Sequence, residues 1–267
     1  MTTGRQVGRW RLIDYLGEGS TGDVYSATDG ERTGAVKIVR PIRPIQPAEL
    51  EAAWARLGAR LGRIAAVEDP GVIDVWDWGL DRADAELWYV MERLSGTSLA
   101  MEPQHTVSEL VRIGVRLANA LAALHAKGEV HGDIKPQNLF WEPDGRAVIV
   151  DFSLAILDEQ LGTPTGSPRW MAPECLHGAP GSPAADVYAL CQVLGELAVG
   201  GPLFTTKARG PSALIELTQA KDAVESADPG PGSGILRKIV VAGTRRRAGD
   251  RPTARELSRL MRELTLQ

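Results

Sequence analysis

Cysteine is scarce in this chain. Cys175 and Cys191 are the only two in 267 residues, and neither belongs to a Cys-x-x-Cys pair. The four histidines lack metal-ligand spacing, so a disulfide scaffold and a structural zinc site are both excluded. A basic excess is lacking too: 30 Lys and Arg stand against 34 Asp and Glu, a net charge of −4. That argues against a general nucleic-acid binder, and the densest basic run, Arg245-Arg246-Arg247, reads as a solvated turn. No run of 18 apolar residues occurs. The most membrane-like stretch, residues 187–204, is broken by Gln192, Glu196 and a Gly-Gly-Pro, and it reads as a buried core helix. Residues 1–10 are polar, without the apolar core of a signal peptide. These absences point to a soluble cytoplasmic protein.

What is present is ordinary for a globular chain: 43% apolar and 24% charged residues, too apolar and too weakly charged for disorder. The length suits one two-lobed domain or two small ones. Residues 9–40 read as strands around an Asp29-Gly30 turn, a hairpin signal. Leu50, Trp54, Leu57, Leu61 and Ile64 recur at helical spacing, as do Leu110, Ile113, Leu117, Leu121 and Leu124. Strand-like pieces fall at 72–78 and 87–91, and a small hairpin at 139–141 and 147–150. Residues 40–47 and 228–234 are Pro- or Gly-rich breaks. Strands dominate before about residue 92 and helices after it, which predicts an α+β arrangement.

Several short stretches carry chemistry. Gly17-Glu18-Gly19-Ser20-Thr21-Gly22-Asp23-Val24 spells G-x-G-x-x-G-x-V. Its glycines let the backbone bend and bring N–H groups near phosphates. A dinucleotide fold needs a helix straight after such glycines; here a strand follows, and a plain hairpin turn is the other reading. In Ala35-Val36-Lys37-Ile38, Ala35 and Lys37 share a strand face, from which Lys37 can meet phosphates if that face lines a cleft. In His131-Gly132-Asp133-Ile134-Lys135-Pro136-Gln137-Asn138, a carboxylate, a cation and an amide lie within one loop. Phosphoryl transfer to a hydroxyl uses such a carboxylate to orient and accept the proton, with oxygen ligands for Mg²⁺. Asp151, before Phe152 and Ser153, closes an apolar run and can hold Mg²⁺ between phosphate oxygens. Ala172-Pro173-Glu174 and Arg251 supply an acid and a base for a buried ion pair.

Together, in this order, these motifs resemble the protein kinase signature set, in particular the bacterial Hanks-type serine/threonine kinases, over about residues 10–264. The resemblance implies a two-lobed kinase fold, with a small β-rich lobe over residues 1–94 and a larger helical lobe over 95–267. It implies ATP and Mg²⁺, with Mn²⁺ as an alternative, and a protein substrate with a Ser/Thr acceptor. Asp133 would be the base, aided by Lys135 and Lys37, and Asn138 and Asp151 the metal ligands. The nucleotide would lie against Leu16, Gly17, Glu18, Gly19, Ser20, Thr21, Gly22, Val24, Ala35, Lys37, Met91, Glu92, Leu94 and Leu139; Val24, Ala35 and Leu139 would sandwich the adenine. Asp186 would brace the catalytic loop, and Glu174 would pair with Arg251. A nucleotide-binding scaffold without catalysis and a small-molecule phosphotransferase are the rival functions. The Ala-Pro-Glu segment and Lys135 favour a protein substrate.

Three departures from the family pattern stand out. Gly132 replaces the arginine that normally receives a loop phosphate, so Thr163 and Thr165 are expected to matter little as modification sites. Ser167 resembles the hydroxyl that contacts the catalytic Asp and Lys. Ser153 replaces the glycine after Asp-Phe. Arg60 occupies the slot of the acid that should pair with Lys37; Glu51 is the substitute candidate. Arg56, Arg60 and Arg63 share one flank of that helix, either as a solvated face or as a docking surface for an acidic partner. Control is expected from a regulatory protein or a homodimer contact.

Overall fold

A computed structural model describes residues 4–19, 22–39, 47–82, 84, 86–101, 105–152, 167–208, 211–230 and 233–265. Strands β1 (Gln6–Val7), β2 (Trp10–Gly19), β3 (Gly22–Thr28), β4 (Thr33–Val39), β5 (Val75–Asp81) and β6 (Glu86–Met91) form one antiparallel sheet, ordered β1-β2-β3-β4-β6-β5. The β3–β4 turn is made by Asp29, whose Oδ1 accepts from the Glu31 and Arg32 amides at 3.1 and 3.0 Å. This is the local side-chain-to-backbone bond that makes Asp a turn former.

Helix α1 (Pro47–Ala65) lies against β5. Leu50, Leu57, Leu61 and Ile64 of its apolar stripe are buried, and Trp54 packs on the core from the edge. Its small residues have a steric cause: a Cβ on Gly58 would come within 2.9 Å of Trp78 Nε1. Gly58 therefore lets the helix settle onto the Trp78 ring.

A three-stranded sheet, β7 (Thr97–Ser98), β8 (Leu139–Trp141) and β9 (Ala147–Ile149), opens the second part of the chain. The helices there are α2 (Val107–Ala126), α3 (Pro173–Leu176), α4 (Pro183–Val199), α5 (Pro211–Asp222), α6 (Ile235–Gly243) and α7 (Ala254–Thr265). Helix α2 is started by a capping box: the Glu109 amide donates to Thr106 Oγ1, and the Thr106 amide to Glu109 Oε2. Its predicted face, Leu110 to Leu124, is buried in the core against α4 and α7. Helix α4 is buried almost all round from Ala185 to Glu196, and its polar residues Asp186, Gln192 and Glu196 are hydrogen-bonded there. It ends at Gly200, whose φ of +68° is the left-handed cap glycine accepts. The two parts are joined by a parallel bridge: Ile73 N–H donates to Ile149 O at 3.1 Å, and Ile149 N–H to Gly71 O at 2.8 Å.

Lys221 of α5 is an uncommon core residue. Its Nζ donates to Arg169 O at 2.8 Å, Met171 O at 2.5 Å and Gln192 Oε1 at 3.0 Å. Burial pulls its pKa down to about 7, against the opposing pull of Glu196. The unfolded chain therefore binds the extra proton between about pH 7 and the ordinary lysine value of 10.5, and stability should rise with pH across that window. Below it the lysine is charged in both states and the slope vanishes. Lys221→Met should lose this rise. At pH 8 and above, where the folded lysine is neutral, it should also cost on the order of 1–3 kcal/mol, because buried acceptors lose their donor. Urea unfolding at pH 6.5, 8 and 9.5 measures both effects.

Candidate active site

A cleft of about 350 Å³ opens between the six-stranded sheet and β8. Leu16, Gly17, Glu18, Gly19, Val24, Ala35 and Lys37 border it from β2–β4, and Met91, Glu92 and Leu94 from the crossing between the two parts. Asn138 and Asp151 border it from the other side. All of these are residues the sequence singled out, and the β-strand period explains Ala35 and Lys37 sharing the face. Gly22 pairs with Gly19 at the base of the glycine turn and does not border the cleft. Ser20 and Thr21 lie outside the described residues. Gly19 lies close over the pair: a Cβ there would stand 3.4 Å from Lys37 Nζ and 3.8 Å from Asp151 Oδ2, in ordinary contact.

Leu139 corrects an expectation. It is fully buried in the core and takes no part in the cleft, whose floor is Phe140 instead. Neighbours on β8 face opposite ways, so the floor position is one residue further along. Ile73, Tyr89, Gln137 and Val150 also border the cleft and were not read from the sequence, and Arg93 borders it between Glu92 and Leu94. Tyr89 was within reach, since it shares a strand face with Met91.

Across the cleft, Lys37 Nζ is 2.5 Å from Asp151 Oδ1. Both are buried, and desolvation pulls the Lys37 pKa down while Asp151 holds it up. Asp151 has φ +70°, the left-handed region that Asp tolerates better than most residues. Phe152 packs edge-on against His131, ring centroids 4.9 Å apart. His131 Nδ1 accepts from the Asp133 amide at 3.2 Å, and its Nε2 meets Val150 O at 2.9 Å. A carbonyl can only accept, so the ring is neutral with its proton on Nε2. Burial, which lowers the His131 pKa, agrees with that form.

Asp133 Oδ1 accepts from the Ser167 amide at 2.8 Å, and Oδ2 lies 2.6 Å from Lys135 Nζ. Lys135 also donates to Ser167 Oγ at 3.1 Å. Asn138 Nδ2 donates to Asp133 O at 2.9 Å and to Oδ2 at 3.2 Å. Its amide thus turns N toward Asp133, which leaves the carbonyl end as the one that could meet a metal. Asp186 accepts from the His131 and Gly132 amides, each at 2.8 Å, and from His125 Nε2 at 2.9 Å. Gly132 has φ +80°, a local reason for glycine where the arginine was expected. Glu174 and Arg251 form a two-pronged pair at 2.6 and 2.7 Å. Ser153, Thr163 and Thr165 lie outside the described residues.

Residues 10–260 match the family model of the protein kinase domain. The chain belongs to the protein kinase family. It is similar to the serine/threonine-protein kinase PknD of Mycobacterium tuberculosis, at 32% identity over 245 residues, covering 88% of this chain and 35% of that protein. It is also similar to PknE and PknH of Mycobacterium bovis, each at 34% identity, covering 74% and 78% of this chain and 36% of each relative. The chain thus spans about a third of the length of the curated relatives it matches. These relatives place it among the bacterial Hanks-type serine/threonine kinases, with their two-lobed fold. Among the described residues, no helix of the kinase domain is long and apolar enough to cross a membrane.

Two expectations about helix α1 of the kinase domain fail. Glu51 does not reach Lys37; it pairs with Arg82 at 2.9 Å on the exposed side. The position of Glu51, in the first turns, puts it beside the β5–β6 turn rather than over the cleft. Nor do Arg60 and Arg63 stand unpaired on that flank. Arg60 is buried beside Glu129, with Nε 3.3 Å from Oε2, and Arg63 pairs with the other oxygen of the same carboxylate. The acidic partner lies in this chain. It went unread because Glu129 is 66 residues away from Arg63 in sequence.

Proposed function

We propose that this chain binds ATP with Mg²⁺, or Mn²⁺ in its place, and transfers the γ-phosphoryl group to a Ser/Thr hydroxyl of a protein in the cytoplasm. The observation that carries this reading is the position of Asn138. It borders the cleft beside Asp151 and Lys37, and its amide holds Asp133. A nucleotide site and a carboxylate base are thereby fixed to one another.

The residues present fit the metal. Among the described residues no cluster of three or more His, Cys, Asp or Glu side chains is placed to hold an ion. Mg²⁺ needs none, because it is bound through one or two carboxylates with substrate phosphates and water. Asp151 and the Asn138 carbonyl are hard oxygen donors of that kind. The bound ion would neutralise charge on the β- and γ-phosphates. Lys37 would hold the α/β-phosphates as a point charge, and Gly19 would keep the space above Lys37 open. The acceptor hydroxyl would donate its proton to Asp133 as its oxygen bonds to the γ-phosphorus, while the β–γ bridging oxygen leaves with ADP. Lys135 would offset the charge on the transferring group. Ser167, bonded to both Asp133 and Lys135, would shape the edge where a peptide enters.

The scaffold alternative requires a broken site, whereas Lys37 pairs with Asp151, Asn138 pairs with Asp133, and Lys37, Asn138 and Asp151 border one cleft. Control through a regulatory protein or a homodimer contact would act on α1, whose Glu51 pairs with Arg82 and whose Arg60 holds residues 130–131. The test is incubation of the purified chain with Mg²⁺, γ-labelled ATP and a mixed protein substrate, followed by phosphoamino-acid analysis. Label on Ser or Thr is expected. Absence of transfer by the wild-type chain, with nucleotide bound, would overturn the reading.

A further inference from the structure

The run of backbone that presents Asp133 is gripped along both edges. On the N–H edge, the Asp186 carboxylate accepts from His131 and Gly132 at 2.8 Å each. On the carbonyl edge, Arg60 Nη2 donates to Val130 O at 2.6 Å and lies 3.5 Å from His131 O. An anion and a cation thus hold opposite edges of one peptide segment, and Asp133 follows immediately. Arg60 comes from α1, across the interface between the two parts of the fold. Its Nε–H is not aimed at Glu129 Oε2, so that 3.3 Å contact is an ion pair and not a hydrogen bond. The guanidinium's directed bonds go to the carbonyls.

We propose that Arg60 is a positioning residue for phosphoryl transfer, which ties helix α1 to residues 130–131 so that the helix sets where Asp133 sits. The proposal rests on the phosphoryl-transfer reading above. In that reading an arginine stands at the slot where the family pattern has an acid, and through it the helix is joined to the segment that carries the base. Lys37 is meanwhile held by Asp151. A guanidinium suits the task because its fixed fork can meet a carbonyl and a carboxylate together, whereas an ammonium is a single point charge. Burial lowers the Arg60 pKa, while Glu129 and Asp186 oppose the shift, so the charge is kept where it is needed.

The test uses the full chain with Arg60→Met, Arg60→Lys and Glu129→Gln, saturation kinetics in Mg²⁺ and ATP, and backbone amide exchange without nucleotide. Arg60 borders no part of the cleft. Arg60→Met should therefore lower kcat about a hundredfold, the cost of a small misplacement of a reacting group. Its KM for ATP should stay within about threefold. Arg60→Lys should recover part of kcat, and it serves where the Met variant fails to fold. Glu129→Gln keeps the carbonyl bonds, so it should lower kcat much less than Arg60→Met. Exchange at the His131, Gly132 and Asp133 amides should quicken about tenfold in Arg60→Met as local opening becomes easier. Unchanged kcat with unchanged exchange overturns the proposal, as does a loss confined to KM for ATP. If the wild-type chain transfers no phosphoryl group, the functional reading falls separately, and amide exchange alone decides the Arg60 tie.

Discussion

Asp133→Asn should reduce phosphoryl transfer by about 10²–10⁴-fold, the usual contribution of a positioned general base. Nucleotide affinity should hardly change, because Asp133 does not border the cleft. The fold should survive as well. An Asn in this place can still accept the Ser167 amide at Oδ1. What changes is the other oxygen, now an NH₂ turned toward Lys135 Nζ and Asn138 Nδ2, both donors. That mismatch costs on the order of 1–2 kcal/mol, well inside the stability of a domain this size. Single-turnover transfer from γ-labelled ATP, read beside a thermal melt, separates chemistry from folding. Near-normal turnover would show that another group takes the hydroxyl proton.

The second large effect belongs to Asp151. Asp151→Asn should lower transfer roughly 10³-fold, the scale of losing a preorganised electrostatic contact in a water-poor site. Two properties make it a clean substitution. Asn fills the same volume, and it is among the few residues that tolerate the φ of +70° found there. The charge is what disappears, and with it the 2.5 Å partner of buried Lys37. Lys37 is already depressed by burial and supported chiefly by Asp151. Removing that support lowers its pKa further. The alkaline limb of nucleotide binding, where Lys37 loses its proton, should therefore move to lower pH in the variant. Nucleotide titrations across pH 7 to 10 would show the move. A variant with wild-type turnover and an unmoved limb would refute both roles.

Much of this site was legible because its signals are local. The glycine turn, the Ala35/Lys37 face and the Asp133–Asn138 loop each follow from spacing over a few residues, and the structure places them around one cleft. The helices were legible for the same reason, since Leu110 to Leu124 and Leu50 to Ile64 declare their buried faces by period. What could not be read depends on side chains meeting across long separations. Arg60 looks like a surface residue on a helical wheel, because the wheel does not show Glu129 and Val130 on the far side of the interface. The misplacement of the cleft floor at Leu139 is a different kind of error: alternation says that Leu139 and Phe140 face opposite ways but not which of them faces in. The core decided it, taking the leucine and leaving the partly exposed phenylalanine to the cleft.

The parallel bridge between residues 71–73 and Ile149 also constrains how the molecule can flex. Its two bonds lie side by side, and Arg146 grips Glu92 with two more at 3.1 and 2.9 Å. Arg60 and Arg63 add a third attachment at Glu129. All three join the strand-rich part to the helical part along the side of α1 and the crossing, away from the glycine turn. A rocking motion that preserves them must therefore pivot on that side and part the Lys37–Asp151 pair across the cleft. Asn138 would keep its bonds to Asp133 in such a motion, so the base and its neighbour would move as one piece.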